Sequence, residues 1–199
     1  MIVIIDYDAG NLMSIRNAFA RLGSRVRISN EKRDIKESSA LVLPGVGAFG
    51  CMRRIEPIKK AIMEEIEEGK PFLGLCLGLQ LLFEESEESP GIEGLEVFKG
   101  KVKRLPNKAG FKVPQLGWNS INIRKRCKLL EGISDGTYFY FANSYAAPLD
   151  MKITAATTSY GKEFPSVICR ENVFATQFHP EKSGEFGLTL LRNFMDLVS

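Results

Sequence analysis

The sequence predicts an α/β fold: a mostly parallel sheet with helices on both faces, extended by antiparallel strands in the C-terminal half. Two observations predict it. Up to residue 85, short apolar runs alternate with segments of helical period, the pattern of a parallel sheet covered on both sides. Beyond that point strand-like segments follow one another, and a helical stripe returns only at the end. The length of 199 residues fits one domain, at about 150 residues per domain. Hydrophobic residues make up 44% and charged residues 26%, which excludes a disordered chain, a coiled coil and a collagen-like repeat.

The elements follow in order. Residues 2–6 form a short apolar run ending in Asp6 and read as a buried strand. Tyr7-Asp8-Ala9-Gly10-Asn11 is a turn, with Asn11 as helix cap. Leu12, Ile15, Phe19 and Leu22 recur at helical spacing, and Gly23 stops that helix. Val26 and Ile28 alternate with Arg25, Arg27 and Ser29, as on a strand with one exposed face. Residues 40–43 are a buried strand opening into the glycine-rich loop 44–50. Met52, Ile55, Ile58, Ile62 and Ile66 mark a helix ending at Gly69. Residues 72–75 are a fourth buried strand, followed by a helix over 77–85. Crossovers between parallel strands are expected to be right-handed. Strands are then predicted over 95–105, 120–123, 137–145, 153–158, 167–170 and 173–178. Phe186, Leu190, Phe194 and Leu197 form the stripe of a last helix behind a Ser183 cap. Residues 106–114 read as a loop, and no repeat or linker divides the chain, so one domain is expected over 1–199.

Several function classes are excluded or left without support. The net charge of +3 is far from the strongly basic balance of a nucleic-acid binder. The apolar runs at 1–5, 40–43 and 72–75 fall short of the about 18 residues of a membrane span. The chain enters its first strand with no positive n-region and no cleavage site, so no secretory signal is expected. Four cysteines without metal-like spacing and a single histidine argue against a structural zinc site. Free thiols in a reducing, cytoplasmic compartment are expected.

Gly74-Leu75-Cys76-Leu77-Gly78 carries the strongest chemical signal. A nucleophile on a sharp strand-to-helix turn projects from the sheet edge, and flanking glycines let the backbone crowd there. Free N–H groups at the start of the next helix favour the thiolate, the reacting form. Cys51, Cys127 and Cys169 lack this context and read as structural. A cysteine nucleophile needs a base, and the base an orienting group. His179 is the one histidine, and Glu181 follows in His179-Pro180-Glu181, close enough to hold the ring. Acyl chemistry also needs oxyanion donors. The N–H after the nucleophile, at Leu77, is one; the loop Pro44-Gly45-Val46-Gly47, leaving a neighbouring strand, offers Val46 and Gly47. No P-loop and no dinucleotide fingerprint is present. The reaction class is acyl transfer through a thioester.

Pro-Gly-Val-Gly at 44–47, Gly-Leu-Cys-Leu-Gly-Leu-Gln at 74–80 and Gln-Phe-His-Pro-Glu at 177–181 together resemble the class I (triad) glutamine amidotransferases. Narrower motifs at 6–11, 45–50, 80–84, 116–119 and 179–183 resemble the subfamily of glutaminase subunits of imidazole glycerol phosphate synthase. The resemblance runs from near the first residue to residue 183. It implies a flavodoxin-like sheet and no cofactor or metal. It implies that Cys76 attacks the side-chain amide of glutamine, that His179 moves protons and that Glu181 orients it. It also implies substrate binding by Gly47, Gln80, Ser144 and Tyr145. Gln115 and Asn143 stand where many members carry histidine; neither titrates near neutral pH.

The resemblance further implies a partner. Free ammonia is mostly protonated at neutral pH, so direct transfer to an acceptor site is an advantage, and one fold uses up this chain. The implied partner is a TIM-barrel cyclase subunit in a heterodimer, touched by Asn11, Trp118, Tyr138 and Lys182. The basic run 124–128 fits either a partner-facing patch or a solvated turn, and the solvated turn is the favoured reading. Other synthases of the family, a cysteine peptidase and an inactive regulatory subunit are the rival readings. Gln80, the 116–119 and 182–183 motifs and the intact Cys-His-Glu set speak against them.

Overall fold

In the computed structural model, which describes residues 1–8 and 11–198, the strands are β1 (Ile2–Ile5), β2 (Val26–Ser29), β3 (Ala40–Leu43), β4 (Phe72–Leu75), β5 (Phe83–Ser86), β6 (Phe98–Arg104), β7 (Gln115–Ser120), β8 (Asn122–Ile123), β9 (Tyr138–Asn143), β10 (Tyr145–Ala146), β11 (Thr154–Ser159), β12 (Glu163–Arg170) and β13 (Val173–Thr176). The helices are α1 (Leu12–Arg21), α2 (Lys32–Glu37), α3 (Met52–Glu67), α4 (Leu77–Gln80) and α5 (Gly184–Asp196). Ala9 and Gly10 of the expected first turn lie outside the described residues. Among the described residues no helix is long and apolar enough to cross a membrane.

The main sheet runs β2-β1-β3-β4-β13-β12-β11-β8. The first five strands are parallel and the last three antiparallel extensions, as the sequence predicts. Alternation along the strands splits the core in two. Ile2, Ile4 and Val42 pack with Phe19 of α1 and Leu190 and Phe194 of α5 on one face. Val3, Ile5, Leu41 and Leu43 pack with Ile35 of α2 and Ile55 and Ile62 of α3 on the other. Each such fully buried side chain contributes about 1.5–3 kcal/mol.

The register of β4 with β13 positions the chemistry. Leu75 pairs with Thr176, so the residues just past both strand ends, 76 and 177–179, emerge side by side. Leu43 of β3 pairs with Gly74 on the other side of β4, which brings the loop from Pro44 to the same edge. Ligands of open α/β sheets bind at this carboxyl edge.

The structure corrects several expectations. The helix predicted over 77–85 is one turn, α4, and the chain re-enters a strand at Phe83. The N–H groups of Leu95, Phe98 and Gly94 take the carbonyls of Leu81, Leu82 and Glu84; this tertiary pairing with the start of β6 displaces the helical bonds. Helix α2, too short for a clear period, was not anticipated. The antiparallel half is more than an extension of one sheet: β5, β6 and β10 form a three-stranded sheet, and β7 with β9 a two-stranded one. Asn11 and Ser183 precede their helices but make no side-chain cap bond, because both side chains are engaged at the site described next.

Candidate active site

Cys76 ends β4 in a conformation that L residues rarely adopt, φ +53° and ψ −103°, at a cost of about 1–3 kcal/mol. Its N–H donates to the Thr176 carbonyl at 2.7 Å, one of the contacts that hold it there. The turn closes only because glycines flank it. A Cβ on Gly78 would stand 2.0 Å from the Leu43 carbonyl oxygen, and one on Gly45 would stand 2.4 Å from Leu77 Cβ. This is the elbow the sequence predicts, although the dipole of a one-turn α4 is far smaller than that of the expected helix. The N–H groups of its first turn still lack helical acceptors.

His179 is buried just past β13. Its N–H donates to the Tyr140 carbonyl at 2.9 Å, and its carbonyl accepts Ser183 Oγ at 2.6 Å. Ser183 Oγ in turn accepts the Tyr140 N–H at 3.0 Å, so the expected helix cap instead ties the His179 loop to β9. His179 Nδ1 lies 2.9 Å from Glu181 Oε1, and the Glu181 side chain is fully enclosed. Asn11 Nδ2 donates to the same Oε1 at 3.1 Å, across 170 positions of sequence. Burial alone pulls His179 down. The charge and hydrogen bond of Cys76, then the hydrogen bond and charge of Glu181, outweigh it and raise the imidazole to about 10. The ring is therefore held as an imidazolium between sulfur and carboxylate at neutral pH, a base paired with its nucleophile.

A cavity of about 270 Å³ opens over Cys76, lined among others by Val46, Gly47, Leu77, Gln80, Ser144, Tyr145, His179 and Lys182. Every oxyanion and substrate position named from the sequence thus borders one space. The Tyr7 hydroxyl donates to the Pro44 carbonyl and anchors the glycine-rich loop. Gln80 Nε2 donates to the Tyr145 carbonyl at 3.0 Å and to Gln177 Oε1 at 3.1 Å. Both its hydrogens are used, so Gln80 offers a ligand only its oxygen.

Gln115 and Asn143 face each other across β7 and β9, both buried. Asn143 Nδ2 donates to the Tyr145 carbonyl at 3.0 Å, a bond that a neutral donor makes at any pH. At the cavity rim Leu116 is 67% exposed, and Trp118 and Tyr138 on the same pair of strands are 57% and 58% exposed. Trp118 packs edge-on against Tyr140, and Lys182 Nζ stands 5.8 Å from the Tyr140 ring centre.

Sequence reasoning missed three residues here. Glu88 borders the cavity and accepts the Phe49 N–H at 2.7 Å; in the sequence it is one carboxylate of an acidic run. Ser183 read as a cap. Gln177 lies in a quoted motif but read as a strand residue. Its Nε2 lies 3.6 Å from Cys76 Sγ. Cys127 and Cys169 are remote from these groups: they hydrogen-bond to each other and border a different cavity with Lys125 and Arg126, whereas Cys51 hydrogen-bonds to the Tyr7 hydroxyl behind the glycine-rich loop. In the basic run, Arg124 pairs with Glu163, and Lys125 donates to the Lys152 carbonyl.

Comparison with known proteins agrees with this geometry. Over its whole length the chain is 49% identical to the imidazole glycerol phosphate synthase subunit HisH of Methanothermobacter thermautotrophicus, covering 99% of that protein. It is 52% identical to the subunit of the same name from Pyrococcus furiosus, over 98% of each chain. Among solved structures, a glutamine amidotransferase aligns over 100% of this chain and 99% of its own, with a TM-score of 0.77 at 21% identity. PurLQS from Thermotoga maritima aligns over 100% and 98%, at 0.75 and 17%. The family model "Glutamine amidotransferase class-I" matches residues 3–197. A cysteine at a strained strand end, a histidine held against it and a match across nearly every residue lead to one conclusion: the chain belongs to the class-I glutamine amidotransferases.

Proposed function

We propose that this chain is the glutaminase subunit of an imidazole glycerol phosphate synthase, acting as one amidotransferase domain over residues 1–199. The observation that carries the chemistry is the His179 ring held between Cys76 and Glu181. The acceptor reaction follows from relatives named for that synthase at 49% and 52% identity over almost all of the chain.

In this reading Cys76 Sγ adds to the side-chain carbonyl of glutamine. The N–H groups of Leu77 and of Val46 or Gly47 receive the oxyanion. His179 gives its proton to the departing nitrogen, the C–N bond breaks and ammonia leaves a thioester. Water then attacks with His179 as base, the C–S bond breaks and glutamate leaves. Glu181 keeps Nδ1 occupied so that the other ring nitrogen serves the sulfur. Gly47, Gln80, Ser144 and Tyr145 hold the substrate, and Glu88, the one carboxylate among the described residues that line the cavity, receives its ammonium group. No cofactor or metal takes part.

A TIM-barrel cyclase subunit docks on the exposed strip of Leu116, Trp118 and Tyr138. Leu116 and Lys182 border the cavity itself, so a partner on this strip covers the cavity mouth and receives ammonia before it meets bulk water. Asn11 donates to Glu181, which makes it a support of the triad as well as an expected contact of the partner. The pair works in the cytoplasm, where thiols stay reduced.

Glutamate release from glutamine tests this, measured for the chain alone and with a cyclase subunit and its nucleotide ligand. Strong stimulation that vanishes with Cys76→Ala is the expected result. Activity indifferent to the cyclase would point to another acceptor. No glutamate under any condition would overturn the substrate assignment.

A further inference from the structure

Gln177 touches the reacting sulfur, and the hydrogen-bond network dictates which end of its amide does so. The Tyr145 carbonyl can only accept, so Gln80 must turn its NH₂ group toward it, at 3.0 Å. The second hydrogen of that NH₂ then needs another acceptor, which is Gln177 Oε1 at 3.1 Å. With its oxygen committed, Gln177 presents its own NH₂ to Cys76 Sγ at 3.6 Å. Asn143 Nδ2 donates to the same Tyr145 carbonyl, which leaves that carbonyl no freedom to reverse the chain. Gln177 has no exposed surface, and its backbone N–H is held by the Ser166 carbonyl at 3.0 Å. The amide is thus locked by β12 behind and Gln80 beside it.

From this geometry we propose that Gln177 is a further catalytic residue: a neutral N–H donor that stabilises the Cys76 thiolate before attack and again as it leaves the thioester. The proposal deepens the reading of Cys76 as nucleophile and rests on it. A thiolate accepts a hydrogen bond strongly, and a thioester sulfur accepts one poorly. The contact is therefore strongest in the free enzyme and at the step where the C–S bond breaks, the two points at which sulfur carries charge. His179 supplies the matching positive charge from the other side. The buried Tyr7 hydroxyl also feels the sulfur's charge and is committed to the Pro44 carbonyl. Gln177 gives what a second cation at this point would not: a donor that leaves the charge balance of the Cys76–His179 pair unchanged across pH.

Alkylation of Cys76 by iodoacetamide tests this without glutamine, on the full chain, with the modified peptide resolved from those of Cys51, Cys127 and Cys169 by mass spectrometry. Gln177→Met fills the same space and removes the N–H. Its alkylation at pH 7 is expected to slow about fivefold, the factor carried by one hydrogen bond of ordinary net strength, and its pH–rate profile to move upward. Gln80→Met frees the Gln177 amide to turn, so it is expected to raise KM for glutamine and to slow alkylation by less than Gln177→Met does. An alkylation profile for Gln177→Met that superimposes on the wild type, with only KM raised, would overturn the proposal and reduce Gln177 to a prop for Gln80. If Gln177→Met does not fold, Gln177→Asn, one methylene short of the sulfur, decides by the same readout. Failure of the glutaminase reading is separable: it would abolish glutamate release and leave the alkylation difference intact.

Discussion

Two thiol environments at opposite ends of the sheet invite comparison. Cys127 and Cys169 share a hydrogen bond that lowers Cys169 and, together with burial, raises Cys127. They border a cavity of about 620 Å³ with Lys125, Arg126 and Lys128 at its edge. Cys76 sits under a cavity less than half that size. The larger space has basic charge and a thiolate candidate, but the only histidine of the chain is elsewhere, so no imidazole stands against the sulfur there. Around Cys76 the groups converge: an imidazole from beyond β13, an amide from Gln177, a carboxylate behind the ring and turn N–H groups in front. Chemistry follows the convergence of polar groups on one atom, not the size of the space.

The comparison breaks most visibly by deletion. Cys76→Ala is expected to lower glutamate release by at least ~10⁴-fold, the scale at which a covalent nucleophile is lost, while Cys127→Ala and Cys169→Ala keep activity within about threefold. A comparable loss from either of the latter two would make the distal cavity part of the mechanism. His179→Asn is expected to cost about 10²–10⁴-fold, the usual share of general acid–base catalysis.

Stability sharpens the contrast next. Gly78→Ala puts a methyl group against a backbone oxygen that cannot yield. A loss of about 1–3 kcal/mol or more is expected in urea unfolding, with the elbow distorted. Gly132→Ala, at a turn beside the distal cavity, meets nothing closer than 3.9 Å, although its φ of +73° is strained. It is expected to cost about 1 kcal/mol, the penalty of the left-handed region alone. Equal losses would mean that close packing does not define the elbow.

The pH dependence follows from His179. Its folded value, about 10, lies above its ordinary 6.5. The imidazolium therefore adds stability that is fully present below about pH 6.5 and is lost as pH climbs through about 10. The advantage of the wild type over His179→Asn in urea is expected to shrink over that window. An advantage that grows with pH would mean that the ring is held neutral.

The smallest effect concerns Asn11→Ala. It removes one donor to Glu181 and is expected to lower kcat about three- to tenfold, the weight of one hydrogen bond of ordinary net strength, with KM nearly unchanged. A kcat equal to the wild type, with only cyclase binding weakened, would confine Asn11 to the interface.

Much of this was legible in one sequence because its causes are local. Period two and period 3.6 mark the buried strands and the faces of α1, α3 and α5. Glycines at 74 and 78 announce a turn too tight for side chains, and a single histidine leaves no choice of base. Tertiary structure decided where side chains reach across the chain. The pairing of Leu75 with Thr176 sets Gln177 beside Cys76, a relation that no local pattern encodes. Asn11 and Ser183 have the chemistry of helix caps, yet Glu181 and the His179 carbonyl claim their polar groups. The helix predicted after Cys76 stops at Gln80 because residues 94–98 capture its next carbonyls. Propensity and sterics act within a few residues and can be read along the chain. Register and competition for hydrogen bonds act across space, and only the folded chain resolves them.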